Sequence, residues 1–109
     1  MNHFVEICSY NLKPGTRNEF HRLVVEKSMP MLERWNADVV AFGPSLYDED
    51  SYYLILRYNS LAHRERSEAA FYASDEWRQG PRGAIIALIE SSTEIVLELD
   101  EVTVQGLRK

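Results

Sequence analysis

The stretch Asn11-Leu12-Lys13-Pro14-Gly15-Thr16-Arg17-Asn18-Glu19-Phe20 constrains this chain more than any other. Proline presets φ near −65° and glycine takes positive φ without steric cost, so Lys13-Pro14-Gly15 is turn chemistry. Thr16 is placed to cap a helix with its hydroxyl, and Glu19 three residues on would complete a capping box. The segment before it, His3 to Tyr10, is rich in Phe, Val, Ile and Tyr and predicts a strand. On that strand Val5, Ile7 and Ser9 share one face, and Phe4, Glu6, Cys8 and Tyr10 share the other. Both faces are largely apolar, the pattern of a central strand covered on two sides. The stretch is therefore a strand-to-helix hand-over.

The rest of the chain repeats and completes that unit. Phe20, Leu23, Val24, Met31 and Trp35 form an apolar stripe at helical spacing over Arg17 to Trp35. Pro30 cannot donate to the Glu26 carbonyl, so the helix should kink or restart near Ser28. Asn36-Ala37-Asp38 ends it. Val39 to Tyr47 is a second strand, with Gly43-Pro44 marking an edge or a bulge. The acidic turn Asp48-Glu49-Asp50 leads into the strand Ser51 to Tyr58, where Tyr52, Tyr53, Ile55 and Tyr58 are β-branched or aromatic. Asn59-Ser60 caps a polar helix, Leu61 to Ala73, in which Leu61, Ala62, Ala69, Ala70 and Phe71 are the residues able to face a core. Ser74-Asp75-Glu76-Trp77 is a further capped turn, and Gly80-Pro81-Arg82-Gly83 breaks the chain before a short apolar helix over Ala84 to Ile89. Thr93 to Leu99 alternates as a fourth strand. Asp100 to Lys109 is a polar tail, expected as an edge strand or loose chain.

The order β-α-β-β-α-β in 109 residues predicts one α+β domain, 1–109. Short connections favour a ferredoxin-like βαββαβ sandwich: a four-stranded antiparallel sheet with both helices on one face. The apolar second face then calls for a cover, and a two-fold partner is the simplest one. A homodimer is expected, with higher assembly also open.

Composition narrows the partners. Seventeen acids against 12 bases give a net charge of −5, which argues against a phosphate footprint or an anionic membrane surface. No nucleic-acid or membrane partner is expected. Cys8 is the single cysteine, so an intrachain disulfide is impossible. With neither a membrane-length apolar run nor a leader-like opening, a cytoplasmic location is expected.

Four segments in order resemble the NIPSNAP family, within the dimeric α/β-barrel group. They are Leu12-Lys13-Pro14-Gly15-Thr16 with Glu19-Phe20; Met29-Pro30-Met31-Leu32-Glu33; Tyr58-Asn59-Ser60-Leu61-Ala62-His63-Arg64-Glu65-Arg66; and Phe71 with Asp75, Glu76 and Trp77. The resemblance covers roughly Phe4 to Leu99, and departs at Gly80 to Gly83, where the family is more often helical. It implies the ferredoxin-like fold and a dimeric barrel. It implies no single reaction.

Candidate chemistry centres on charged residues inside predicted strands, which are costly unless paired or wet. Glu6, Tyr10 and Arg57 are the catalytic candidates: Glu6 as a general base, Tyr10 or Arg57 stabilising an oxyanion. A Glu6–Arg57 pair, buried or at a dimer interface, is the structural alternative. Cys8, Tyr53 and Trp77 are the ligand-contact candidates, although Cys8 also suits a small buried hydrophobe and Trp77 a core plug. Arg64-Glu65-Arg66 is expected as a solvated face with local ion pairs. His3, His21 and His63 sit on different elements without metal-ligand spacing, so no metal is expected, and no cofactor. The function read from this is a homo-oligomer of unassigned activity that binds a small apolar or aromatic molecule in the barrel. The alternative is a cofactor-independent monooxygenase or isomerase.

Overall fold

In the computed structural model, which describes residues 2–108, a central strand β1 (Asn2–Leu12) crosses the middle of one sheet. Helix α1 (Arg17–Leu23), a wide π turn (Val24–Ser28) and helix α2 (Met29–Arg34) follow as one bent rod. Strands β2 (Asp38–Pro44) and β3 (Ser51–Tyr58) make the hairpin. Helix α3 (Leu61–Ala73), the short α4 (Asp75–Arg78) and α5 (Arg82–Ile86) precede β4 (Ile89–Asp100), and α6 (Glu101–Leu107) closes the chain. All pairings are antiparallel and the sheet order is β2-β3-β1-β4. This is the ferredoxin-like sandwich that the element order predicts.

The opening turn works through backbone geometry and long-range bonds. Gly15 has φ +79°, the left-handed conformation that favours glycine. Leu12 N–H donates to the Asp50 carbonyl and Lys13 N–H to the Leu88 carbonyl, both at 2.8 Å, so the turn is tied to the hairpin and to the start of β4. The expected capping box does not form. Thr16 Oγ1 donates back to the Lys13 carbonyl at 2.7 Å, and Glu19 instead accepts from Arg22 one turn on. The hydroxyl is consumed by the turn, and the Arg22 fork outcompetes the return bond.

The bend near Ser28 is a π turn rather than a break: Met29 N–H reaches the Val24 carbonyl five residues back. It falls immediately before Pro30, where a regular bond would be lost anyway. Asn36, with φ +57°, ends the rod. Gly80 is dictated by packing, because a Cβ there would collide with the Glu76 carbonyl oxygen.

Two apolar clusters lie on opposite sheet faces. Leu12, Phe20, Leu23, Val24, Tyr52 and Ile85 make the main core under α1. On the other face Val5 and Val40 pack against Val104 of α6, with Val5 and Val104 both fully buried. The tail is thus neither a strand nor loose. Asp100 caps α6 by accepting from Thr103 N–H at 2.7 Å, and Arg108 clamps it to Asp38 with bonds of 2.9 and 3.0 Å. Part of the face expected to await a partner is covered by the chain's own C-terminus. Ile7, Ile55, Ile95 and Leu97 continue that face, Ile95 being 56% exposed. No helix among the described residues is long and apolar enough to cross a membrane.

Candidate functional site

Strand register decides which candidate residues meet. Val5 pairs with Arg57 and Glu6 with Leu56 across β1 and β3. Residues directly opposite share a face, so Glu6 points to the helices while Arg57 points away from them. The expected Glu6–Arg57 pair is therefore corrected: the two lie on opposite faces. Arg57 is bonded to Asp38 at 3.3 Å and to His3 Nδ1 at 2.9 Å, and His3 also meets Glu101 of α6. Tyr53 goes with Arg57 to that second face, where its ring lies over Gly43.

Glu6 is 2% exposed and finds its counter-ion on α3. Ser60 fixes the phase of that helix by accepting from His63 N–H at 3.0 Å. The residues turned toward the sheet are then His63, Arg64, Ser67, Glu68 and Phe71, while Leu61, Ala62, Ala69 and Ala70 face out. The expected apolar inner face is thereby overturned, and Arg64 is no solvated surface residue. Its Nε donates to Glu6 Oε2 at 2.7 Å. It also lies 3.4 Å from both Glu68 and Glu94. A buried carboxylate without a partner costs far more than a polar helix face, which explains the inversion.

The cluster has a graded electrostatic character. Cys8 Sγ donates to Glu6 Oε1 at 3.3 Å. Burial first, then the Glu6 charge, push that thiol well above its usual range, so Cys8 is a neutral supporting donor. Burial likewise holds the Tyr10 and Tyr58 phenols protonated. Tyr58 Oη makes a long bond to Glu68 Oε1 at 3.5 Å. Glu68 is pushed up to about 7, chiefly by burial and then by its hydrogen bond to Glu6 and that group's charge, against the pull of Arg64. Two carboxyls beside one guanidinium thus differ: Glu6 takes the short bonds and Glu68 the long ones.

Next to this cluster is a cavity of about 240 Å³ between the end of α2, the end of β3 and the inner face of α3. Leu32, Trp35, Leu56, Tyr58, Phe71 and Tyr72 supply its apolar wall; Asp38, Arg57, His63 and Glu68, with Asn36, Asn59 and Ser67, supply its polar one. A second hollow of about 70 Å³ shares Leu32, Leu56, Phe71 and Tyr72 with it and adds Tyr10 and Trp77. Trp77 packs on Phe71 with centroids 5.5 Å apart, and Trp35 meets the same ring edge-on at 5.8 Å. Of the six expected site residues, Tyr10 and Trp77 reach a cavity wall and Glu6 and Cys8 lie just behind one. Arg57 lines the cavity of about 240 Å³, with its guanidinium engaged by Asp38 and His3; Tyr53 lines neither hollow. Sequence reasoning missed Arg64, Glu68, Tyr58 and Tyr72. The three- and four-residue spacing of His63, Arg64, Ser67, Glu68 and Phe71 puts them on one helix face, but it is the buried Glu6 that turns this face inward. Among the described residues no three His, Cys, Asp or Glu side chains are arranged to hold a metal ion.

The arrangement defines a class: a ferredoxin-like α+β domain with an aromatic cleft beside a buried carboxyl–guanidinium cluster on the helix side of the sheet. The NIPSNAP family model matches residues 5–99, and the chain belongs to the NIPSNAP family. Solved structures agree in fold. A NIPSNAP family protein from Agrobacterium tumefaciens is similar with a TM-score of 0.82 at 19% identity, over 91% of this chain and 87% of that one. A NIPSNAP-like domain protein from Burkholderia xenovorans gives 0.83 at 19% identity, over 91% and 86%. A protein from Nitrosomonas europaea, named only provisionally as an antibiotic biosynthesis monooxygenase, gives 0.65 at 13% identity, over 86% and 95%. Comparison with curated proteins gives no match.

Proposed function

We propose that this NIPSNAP protein binds a small apolar or aromatic molecule in the cleft between α2, α3 and β3, and that it works as a homodimer in the cytoplasm. The observation that carries the binding reading is the cavity of about 240 Å³, whose wall is divided between rings and aliphatic side chains and a polar set that includes Asp38, Arg57, His63 and Glu68. An apolar wall joined to polar groups that can fix orientation suits a ligand site, and a volume below the roughly 300–1,000 Å³ of drug-sized pockets points to a small ligand. The dimer is supported by Ile7, Ile55, Ile95 and Leu97, an apolar continuation of the face that α6 covers only in part.

Native mass spectrometry of protein purified without added ligand tests both parts. The expected spectrum is a dimer that retains, or accepts on titration, one small neutral aromatic such as 2-phenylethanol per chain. Ser67→Trp, which fills the cleft from α3, should abolish ligand binding, and Ile95→Asp should give monomers. Binding undiminished by Ser67→Trp would overturn the cleft as the site.

One observation favours a catalytic second reading: a carboxyl pushed up to about 7 at a cavity wall suits a general base. A cofactor-independent isomerase or monooxygenase would use it on an enolisable substrate, and the Nitrosomonas europaea neighbour's name is of that kind. Glu68 replaces Glu6 as the base in this reading, because Arg64 and Cys8 occupy both Glu6 oxygens. Deuterium exchange into phenylacetone, followed by NMR, should then be catalysed by the native protein and lost in Glu68→Gln.

A further inference from the structure

The charges around the cleft select a class of ligand. We propose that the cleft takes a small primary amine, its ammonium head seated against Glu68 and its apolar body among the rings of Tyr58, Phe71 and Tyr72. This rests on the cleft being a ligand site, as argued above.

The cations at the cleft are already committed. Arg64 is bonded to Glu6 at 2.7 Å and faces Glu68 and Glu94, each at 3.4 Å. Arg57, which lines the cavity, has its guanidinium held by Asp38 and His3. Asn59 N–H donates to His63 Nδ1 at 3.1 Å, so that nitrogen is occupied as an acceptor. A carboxylate or phosphate entering the cleft would therefore meet no uncommitted guanidinium or ammonium among the described wall residues.

The anions are not balanced. Three carboxylates, Glu6, Glu68 and Glu94, share the single Arg64 guanidinium. Glu6 is sealed, and Glu94 is half exposed outside the cavity wall. Glu68 alone of the three lines the cavity, where Asp38 is already held by Arg57 and Arg108. Its contacts to Arg64 and Tyr58, 3.4 and 3.5 Å, are long, and its remaining bond is to the like-charged Glu6, which an ammonium would replace favourably. The rings supply the rest of the recognition. Tyr58 and Phe71 stand in the wall, and Tyr72, 53% exposed, is at the mouth. An ammonium over aromatic faces is stabilised by their quadrupoles, most strongly where water is excluded.

The groups facing Glu68 are Glu6 from β1, Tyr58 from β3, Arg64 and Tyr72 from α3, and Glu94 from β4. Burial, Glu6 and Glu94 keep part of the Glu68 population protonated near neutral pH, against the pull of Arg64. An ammonium favours the carboxylate, so amine binding should release a proton and strengthen as pH rises from 6 to 8.

Titration calorimetry with three matched probes, 2-phenylethylamine, 2-phenylethanol and phenylacetate, tests the proposal. The amine is expected to bind at least tenfold more tightly than phenylacetate at pH 8, with the alcohol between. Glu68→Gln should weaken the amine about tenfold and leave the alcohol within about twofold, which also reports that the variant is folded. Glu94→Gln removes the same charge outside the wall and should leave the amine's preference intact. Phenylacetate binding as tightly as the amine, or an amine preference that survives Glu68→Gln, would overturn the ligand class while leaving the cleft as a site. Failure of all three probes to bind would overturn the cleft itself.

Discussion

Arg64 on α3 donates through Nε to Glu6 on β1 at 2.7 Å across 58 positions of sequence. Glu6 is 2% exposed, so Arg64 is the counter-charge that makes a carboxylate tolerable inside this sandwich. The same bond, with Phe71 packed between Trp35 and Trp77, ties this largely polar helix to the sheet.

Removing one partner should cost more than removing both. Arg64→Ala strands a buried charge and should lower stability by about 3 kcal/mol, whereas Glu6→Gln with Arg64→Met should recover most of that loss. Urea denaturation of the three proteins measures it. A loss below about 0.5 kcal/mol in Arg64→Ala would remove the pair from any structural role.

Glu68 sets a pH dependence of definite sign. Its folded pKa is raised from 4.5 to about 7, so the folded state binds more protons than the unfolded chain between those values. The stabilising contribution is complete below about 4.5 and is lost as pH rises through about 7. Native protein should therefore lose urea resistance from pH 5 to pH 8 relative to Glu68→Gln. The carboxylates whose pKa is lowered, such as Asp38 beside Arg108, titrate below that window and leave it clear. Parallel profiles for the two proteins would refute the assignment.

Val104 and Val102 lie two residues apart on α6 and should behave oppositely. Val104 is fully buried against Val5 and Val40, and Val102 is 82% exposed. Val104→Ala should cost about 2 kcal/mol by lost burial and the cavity left behind, and Val102→Ala less than about 0.5. Thermal melting of both separates a docked helix from a dispensable one.

The helix starts offer a matched pair of hydroxyls. Ser60 accepts from His63 N–H, a true cap, so Ser60→Ala should cost about 1 kcal/mol. Thr16 makes no cap bond, so Thr16→Ala should stay within about 0.5 kcal/mol. Equal losses in chemical denaturation would contradict the observed division of roles.

The sequence by itself determined the element order, the turn at Gly15, the cap at Ser60, the disturbance before Pro30 and, through four short segments, the family. Each rests on local physics: backbone freedom, a hydroxyl within reach of an N–H, or apolar spacing along one helix. The tertiary structure alone decided the site. Glu6 and Arg57 both lie on central strands, yet the register that pairs Val5 with Arg57 puts them on opposite faces, and a one-residue shift would reverse that. The phase of α3 was likewise beyond its own composition: its alanines suggest an apolar inner face, but a buried carboxylate 58 positions away turns Arg64 and Glu68 inward. The polar tail became a helix for the same reason, since Val104 meets Val5 and Val40 only once the sheet has formed. Local preferences are written along the chain. Which charges face each other depends on strand register and helix phase, set by contacts between residues far apart in sequence.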